Sequence, residues 1–308
     1  MKDFVILPDA TCDISPEARA DIGMTDYIPG HVNVNGTEYP TTLGWDNFTR
    51  EEYYKALSNK KAKITTAPPS PAEYEKAFES YVQQDIGVIS ISLSSKISST
   101  LSFAQSAAKN IIEKHPNAQI YCLDSYRMSG AIGLLTYYAY KLKNEGKSFE
   151  EVVEWLEENK THVHQMGPID DLIFVARRGR ISMGKAIMGG FAGVKPMGDC
   201  NADGYATVLT KAKGIGKALD LTVRYVKETA TNIEEQYLFI AHSDRELYAD
   251  TLKEKLAALN PKKIYVSDVY PACGANIGPG MIAVYYLGEK ISEDMSAEKE
   301  IMNKLVTD

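Results

Sequence analysis

The sequence predicts an α/β protein of two domains. The first, over 1–163, is a three-layer α/β/α domain with a parallel sheet; the second, over 164–308, is a two-layer α/β domain with a mixed sheet. Three observations carry this. The chain has 308 residues, more than one core usually organises at roughly 100 to 200 residues per domain. Its 44% apolar and 24% charged residues are those of an ordinary folded protein. A short unbroken apolar run, a polar loop and a helix-like stretch follow one another three times in the first half, and the second half changes to hairpin signals.

The first unit is Phe4-Val5-Ile6-Leu7, closed by Pro8 to Asp13, with a helix-like stretch from Ser15. The second is Ile86 to Leu93, the loop Ser94 to Thr100, and a helical period through Phe103 to Ile112. The third is Gln119 to Leu123, then Asp124-Ser125, then a helix from Gly130 to Leu142. Strands without in-out alternation that feed helices of this length point to right-handed βαβ units around a buried parallel sheet. Ligands of such sheets sit beyond the C-terminal strand ends, where all three polar loops fall. A helix from Ser148 to Asn159, with Ser148 and Glu151 at capping-box spacing, closes the first domain.

Beyond residue 163, Asp171 to Val175 leads into Arg177-Arg178-Gly179-Arg180-Ile181-Ser182 and an apolar, Gly-rich stretch from Lys185 to Gly193. Val194 to Met197 and Tyr205 to Leu209 flank Asn201-Ala202-Asp203-Gly204, a hairpin signal. Helices over 215–228 and 246–259 and strands over 237–241, 263–266 and 282–286 complete a mixed sheet.

A net charge of -7 supplies no field for a polyanion, so nucleic acid is not an expected partner. Met1-Lys2-Asp3 is followed by neither a long h-region nor a cleavage site, no apolar segment approaches the roughly 20 residues of a membrane span, and a cytoplasmic location is expected. Cys12, Cys122, Cys200 and Cys273 form no C-x-x-C pair. His162 and His164, two residues apart, would face opposite sides of a helix, so no metal is expected. There is no G-x-x-x-x-G-K-S/T loop, no complete dinucleotide fingerprint around Gly214-Ile215-Gly216 and no G-x-S-x-G elbow. No cofactor is expected.

The hydroxyl-rich loops are the informative feature. Thr65-Thr66-Ala67-Pro68-Pro69-Ser70-Pro71 combines hydroxyls with prolines that fix the backbone, and Ser70 with Glu73 can cap the next helix. Ser94, Ser95, Ser98, Ser99 and Thr100 stand between a buried strand and a helix; they fit either a helix cap or an anion held by free N–H groups and the helix dipole. Gly274-Ala275-Asn276-Ile277-Gly278-Pro279-Gly280 fits a turn or strand connection, or a backbone that approaches a ligand closely. Arg177, Arg178 and Arg180 fit a solvated edge or an anion clamp.

Taken together these segments resemble the DegV family, bacterial fatty-acid-binding proteins that act as FakB-type subunits of a fatty acid kinase. Asp9-Ala10-Thr11-Cys12-Asp13-Ile14 is similar to the family's D-S-T-S/C-D-L/I, and Thr66-Ala67-Pro68-Pro69-Ser70-Pro71 to T-S-Q-P-S-P. Leu93 to Thr100 is similar to I/L-S-S-x-L-S-G-T, Asp124-Ser125 to D-S, Arg178 to Ser182 to G-G-R-I-S, and Gly274 to Gly280 to G-x-H-x-G-P-G. The resemblance runs from Phe4 to Leu287.

The resemblance implies a carrier without turnover of its own. One long-chain fatty acid would lie between the domains, its carboxylate at the interface and its acyl chain in an apolar tunnel. It would be presented to a separate ATP-dependent fatty acid kinase that makes the acyl phosphate for phospholipid synthesis, with transient contact to a membrane surface. Carried onto this sequence, Thr66, Ser98, Asn276 and Arg180 would hold the carboxylate, with Ser94, Ser95, Ser99 and Gly278 as the supporting loops. A buried carboxylate needs several donors to stay ionised. Met128 and Ile132, with Ile187, Met188 and Phe191, would line the tunnel. Asn276 departs from the family His and cannot titrate; Ser99, Arg178 and Ala67-Pro68 depart as well. A serine-dependent hydrolase or acyltransferase on a small acyl substrate is the alternative.

Overall fold

The computed structural model describes residues 3–59, 61–181 and 193–307. In chain order the first half runs β1 (Phe4–Pro8), α1 (Pro16–Ile22), β2 (His31–Val34), β3 (Thr37–Pro40), α2 (Arg50–Ser58), β4 (Ile64–Ala67), α3 (Pro71–Val82), β5 (Gly87–Ser92), α4 (Thr100–Lys114), β6 (Ile120–Asp124), α5 (Gly130–Asn144) and α6 (Phe149–Asn159). The second half runs β7 (Val163–Met166), α7 (Leu172–Arg177), β8 (Val194–Cys200), β9 (Ala206–Lys213), α8 (Ile215–Thr229), β10 (Tyr237–His242), α9 (Glu246–Ala257), β11 (Lys263–Asp268), α10 (Pro271–Ile277), β12 (Ile282–Leu287) and α11 (Ser296–Thr307).

The three apolar runs of the first half form the parallel sheet β1-β5-β6, with Ile6 opposite Ile89 and Ile89 opposite Tyr121. Every residue of β5 is buried, because helices cover both faces. Leu7 and Val88 pack with Tyr74, Phe78 and Ala104 of α3 and α4; Ile6, Ile89 and Ile91 pack with α5 and α6 on the other side. These are the three layers expected. Both capping boxes foreseen in the sequence are formed, Ser70 with Glu73 and Ser148 with Glu151.

In the second half β11-β10-β12-β7 make the mixed sheet, parallel between β10 and β11 and antiparallel elsewhere. One face (Leu238, Ile240, Val284, Tyr286) lies on α8, α9 and α11. The other face (Phe239, Ala241, Ala283, Tyr285) lies on α5, in the same apolar cluster as Ile6 and Ile89. Helix α5 is therefore shared between the two sheets, which explains why ten of its fifteen residues are buried. The sheet changes at Val163 while the core continues across it; we keep the boundary near 163 as a proposal on the strength of that sheet change.

Two readings of the sequence need correction. His164 is on the strand β7, not a helix; buried, it pairs through Nδ1 with Asp199 Oδ2 at 2.9 Å and through Nε2 with the Glu289 carbonyl at 2.8 Å. Gly274 to Ile277 are not a turn but the end of α10, where Pro271 starts the helix. A small antiparallel sheet β3-β2-β4 also emerges from residues 31–67. Its signal is Asn35-Gly36, both at positive φ (54° and 97°), the turn that a two-residue hairpin prefers; its strands are short and half-exposed, which hides them from a search for buried runs.

Candidate functional site

The C-terminal ends of β1 and β5 open onto a cavity that β4, α7 and α10 close from the other side. Asp9 and Thr11 come from the first loop, Ser98 and Thr100 from the second, and Met128 from the loop after β6. Thr66 of β4, Asn276 of α10 and Arg180 complete the wall, so residues far apart in sequence meet at one site. Together with the solvent space at its mouth the cavity spans about 880 Å³.

Its polar wall is organised by hydrogen bonds. Asn276 Nδ2 donates to Thr66 Oγ1 at 3.0 Å and to the Ala272 carbonyl, one turn back in α10, at 3.3 Å. The Thr66 hydroxyl thus receives one hydrogen bond and keeps its own hydrogen to give. Ser98 Oγ accepts from the Thr100 amide at 3.2 Å and pairs with Thr100 Oγ1 at 2.7 Å, at the first turn of α4. Arg180 reaches the same loop, Nη1 donating to the Ile97 carbonyl. Two hydroxyls, a guanidinium and a helix N-terminus converge, a set suited to an oxyanion.

Asp9 shares this wall. Its Oδ1 accepts from the Thr11 amide at 2.7 Å and from the Thr11 hydroxyl, its Oδ2 from the Leu93 amide at 2.9 Å. Burial pushes its carboxyl above the usual range, against the pull of these bonds. With both oxygens engaged, Asp9 clasps the β1 and β5 loops together. Cys273 lies alongside, Sγ donating to the Thr11 carbonyl at 3.3 Å; burial pushes its thiol well up, away from the reactive thiolate form. His31 also borders the cavity, its two ring nitrogens facing Glu73 at 3.0 Å and Glu38 at 3.5 Å. Among the described residues no group of three or more His, Cys, Asp or Glu is placed to hold a metal, and no helix is long and apolar enough to cross a membrane.

A second, inner cavity, spanning about 800 Å³ with the solvent space it opens to, shares the walls Met128, Val175, Ala206 and Ile277 with the outer one. It continues between the mixed sheet and the β8–β9 hairpin, past Ile169, Leu172, Ile181, Met197, Val208 and Met281. At its junction with the outer cavity Ser129 sits at φ 54° and ψ -137°, a strained backbone for a residue with a Cβ. Its hydroxyl holds Asp13 Oδ2 at 2.6 Å, and Asp13 Oδ1 takes the Tyr270 amide at 2.9 Å. Burial raises the Asp13 carboxyl to about 7.

Of the residues singled out from sequence, Thr66, Ser98, Asn276 and Arg180 line the outer cavity and Met128 lines both. Ser94, Ser95, Ser99 and Gly278 stand outside its wall. Ser94 is buried and ties the loop to the Gly204 carbonyl at 3.0 Å; the Ser95 amide donates to Asp124 Oδ1 at 3.2 Å, and Ser99 opens α4 without a side-chain cap. Gly278 (φ 76°) leaves room for the Phe174 ring, which a Cβ would meet at 2.8 Å, so this glycine makes space for protein and not for ligand. Arg178 stacks on Phe174 at 5.0 Å and donates to the Ile64 carbonyl. Ile132 lines neither of these two cavities: it is fully buried in the core, because α5 is covered from both sides. Ile187, Met188 and Phe191 lie outside the described residues. The sequence reading passed over Val175, Ala206 and Ile277, whose only signal is apolar character.

A family model described as "Uncharacterised protein, DegV family" matches residues 3–289. A DegV domain-containing protein of Clostridium perfringens is 33% identical over 293 residues, covering 94% of this chain and 99% of its own. Among solved structures, DegV of Bacillus subtilis, a fatty acid binding protein, is 26% identical with a TM-score of 0.80, covering 94% of this chain and 100% of its own. A DegV family protein of Thermus thermophilus, described for its fatty acid binding, matches with a TM-score of 0.83 at 23% identity over 94% of this chain and all of its own. The Streptococcus pneumoniae fatty acid kinase B3 protein, loaded with linoleic acid, matches with a TM-score of 0.80 at 19% identity over 93% of this chain and all of its own; at such identities these last two establish the shared fold. By the family match and by the relative from Clostridium, this chain belongs to the DegV family.

Proposed function

We propose that this protein binds one long-chain fatty acid, its carboxylate in the outer cavity and its acyl chain in the inner one. The observation that carries the reading is the continuity of the two: Thr66, Ser98, Asn276 and Arg180 surround an opening whose far walls, Met128, Val175, Ala206 and Ile277, begin an apolar cavity. A carboxylate there takes hydrogens from Thr66 and Ser98, with Asn276 acting through Thr66 and Arg180 adding charge. Each methylene withdrawn from water into the inner cavity contributes about 0.8 kcal/mol, so length is rewarded until the cavity ends. The fatty acids bound by the proteins of Bacillus, Thermus and Streptococcus support the same ligand class.

The protein then acts as a carrier that hands the carboxylate to an ATP-dependent fatty acid kinase, with transient contact to a membrane surface where acids are collected. The kinase name borne by the streptococcal protein supports that partner. A cytoplasmic carrier fits a partner that uses ATP, and four free cysteines suit a reducing compartment. A serine-enzyme reading finds less support: among the described residues the side-chain contacts of Ser98 are the Thr100 hydroxyl and amide, and both nitrogens of His31 face carboxylates, so none of these residues offers the hydroxyl a free general base. Titration with palmitate and with its methyl ester tests the proposal. Binding of the acid alone is expected; equal binding of the ester would overturn the carboxylate assignment.

A further inference from the structure

The inner cavity is mostly apolar, and a plain alkyl chain would leave one of its polar groups unsatisfied. Gln165, in the middle of β7, lines this cavity, and its side-chain oxygen is buried without a hydrogen-bond partner. Its backbone amide donates to Asp199 Oδ1 at 2.9 Å, which pins the residue in position. The neighbouring Asp199 carboxylate accepts from His164 at 2.9 Å and from the Cys200 amide at 2.7 Å and has no hydrogen to give, so it cannot satisfy the Gln165 side-chain oxygen. Thr207 borders the same space, and its hydroxyl has only a 3.5 Å contact to the Tyr205 carbonyl.

Resting on the fatty-acid reading above, we infer that the inner cavity selects acyl chains that carry a hydroxyl group along the chain, recognised by Gln165. A methylene chain passing Gln165 removes water from the amide and returns no hydrogen bond, the costly case for a buried polar group. A hydroxyl both donates and accepts, so it satisfies either end of the amide as the group turns about its terminal bond. Sites built to hydrogen-bond a substrate hydroxyl discriminate against the analogue that lacks it, because their own polar group is then left unpaired. The outer cavity plays no part in this choice, since it meets only the carboxylate end.

The test is a comparison of dissociation constants for stearate, 2-hydroxystearate, 10-hydroxystearate and 12-hydroxystearate on the whole chain, on Gln165→Leu and on Gln165→Met. In the unaltered protein at least one mid-chain hydroxy acid is expected to bind about tenfold tighter than stearate, or roughly 1.4 kcal/mol. The 2-hydroxy acid gains nothing. In both variants the preference disappears while stearate binds as well or better. A mid-chain preference that survives both substitutions, or no preference with stearate bound, overturns this inference and leaves the carrier reading standing. Failure to bind any of the four acids overturns both.

Discussion

The outer and inner cavities are built by opposite means. The outer one carries a hydrogen-bonded set of polar groups, some close in sequence, Ser98 with Thr100 and Asp9 with Thr11, and one far apart, Asn276 with Thr66. The inner one is a gap between packed elements, walled by side chains such as Val175, Met197 and Met281 that differ from core residues only in having space beside them. Orientation thus resides in hydrogen-bond geometry at one end and affinity in displaced water at the other, and the two respond to different perturbations.

The largest effect is expected at their junction. Ala206→Trp fills a wall common to both cavities; excluding about four methylenes costs about 3 kcal/mol, near a hundredfold in the dissociation constant of stearate. Octanoate should lose little, and calorimetric titration with both acids checks the contrast; equal losses would mean that the cavities do not hold one chain. Next come Thr66→Ala and Ser98→Ala, each expected to weaken palmitate by about 1 to 3 kcal/mol with the melting temperature nearly unchanged. Here the loss should be the same for every chain length, since the tail is untouched. If neither substitution moves the affinity, the polar wall is not where the carboxylate lies.

Asn276→His sharpens the comparison further. An imidazolium beside the carboxylate replaces a neutral donor with a charged one, a gain of about 1 kcal/mol, or fivefold. The gain should be present below the imidazole's pKa and fade as pH rises through it; the unaltered protein lacks that step. A separate effect concerns stability. Burial holds the Asp13 carboxyl at about 7 in the folded chain against an ordinary value of 3.8, so between these values the folded state binds more protons than the unfolded one and stability falls as pH rises. Above about 7 the contribution is flat. Asp13→Asn should lose less melting temperature than the unaltered protein between pH 4 and 7; parallel curves would contradict the assignment.

The same contrast governs what the sequence discloses. Polar residues at strand ends announce themselves: the loops after β1 and β5 were legible as a candidate site because they fall at the C-terminal ends of parallel strands, although hydroxyls there fit a helix cap as well. Thr66, Ser98, Asn276 and Arg180 meet in the structure although nothing in their spacing shows which loops fold towards one another. The apolar half was barely legible. Ile132 and Ile277 are the same residue type, yet one is buried in the core and the other walls both cavities. Only the packing of α5 between two sheets separates them. Gln165 was hidden for another reason: a polar residue alternating with buried ones on a strand reads as facing solvent, and only the β8–β9 hairpin turns that face into a cavity wall.

The most direct test of one continuous site is native mass spectrometry of freshly purified protein, followed by denaturing extraction and lipid analysis. A single bound mass, released as one long-chain acid, is the predicted result. A clean unliganded mass that takes up neither added oleate nor added palmitate would contradict it.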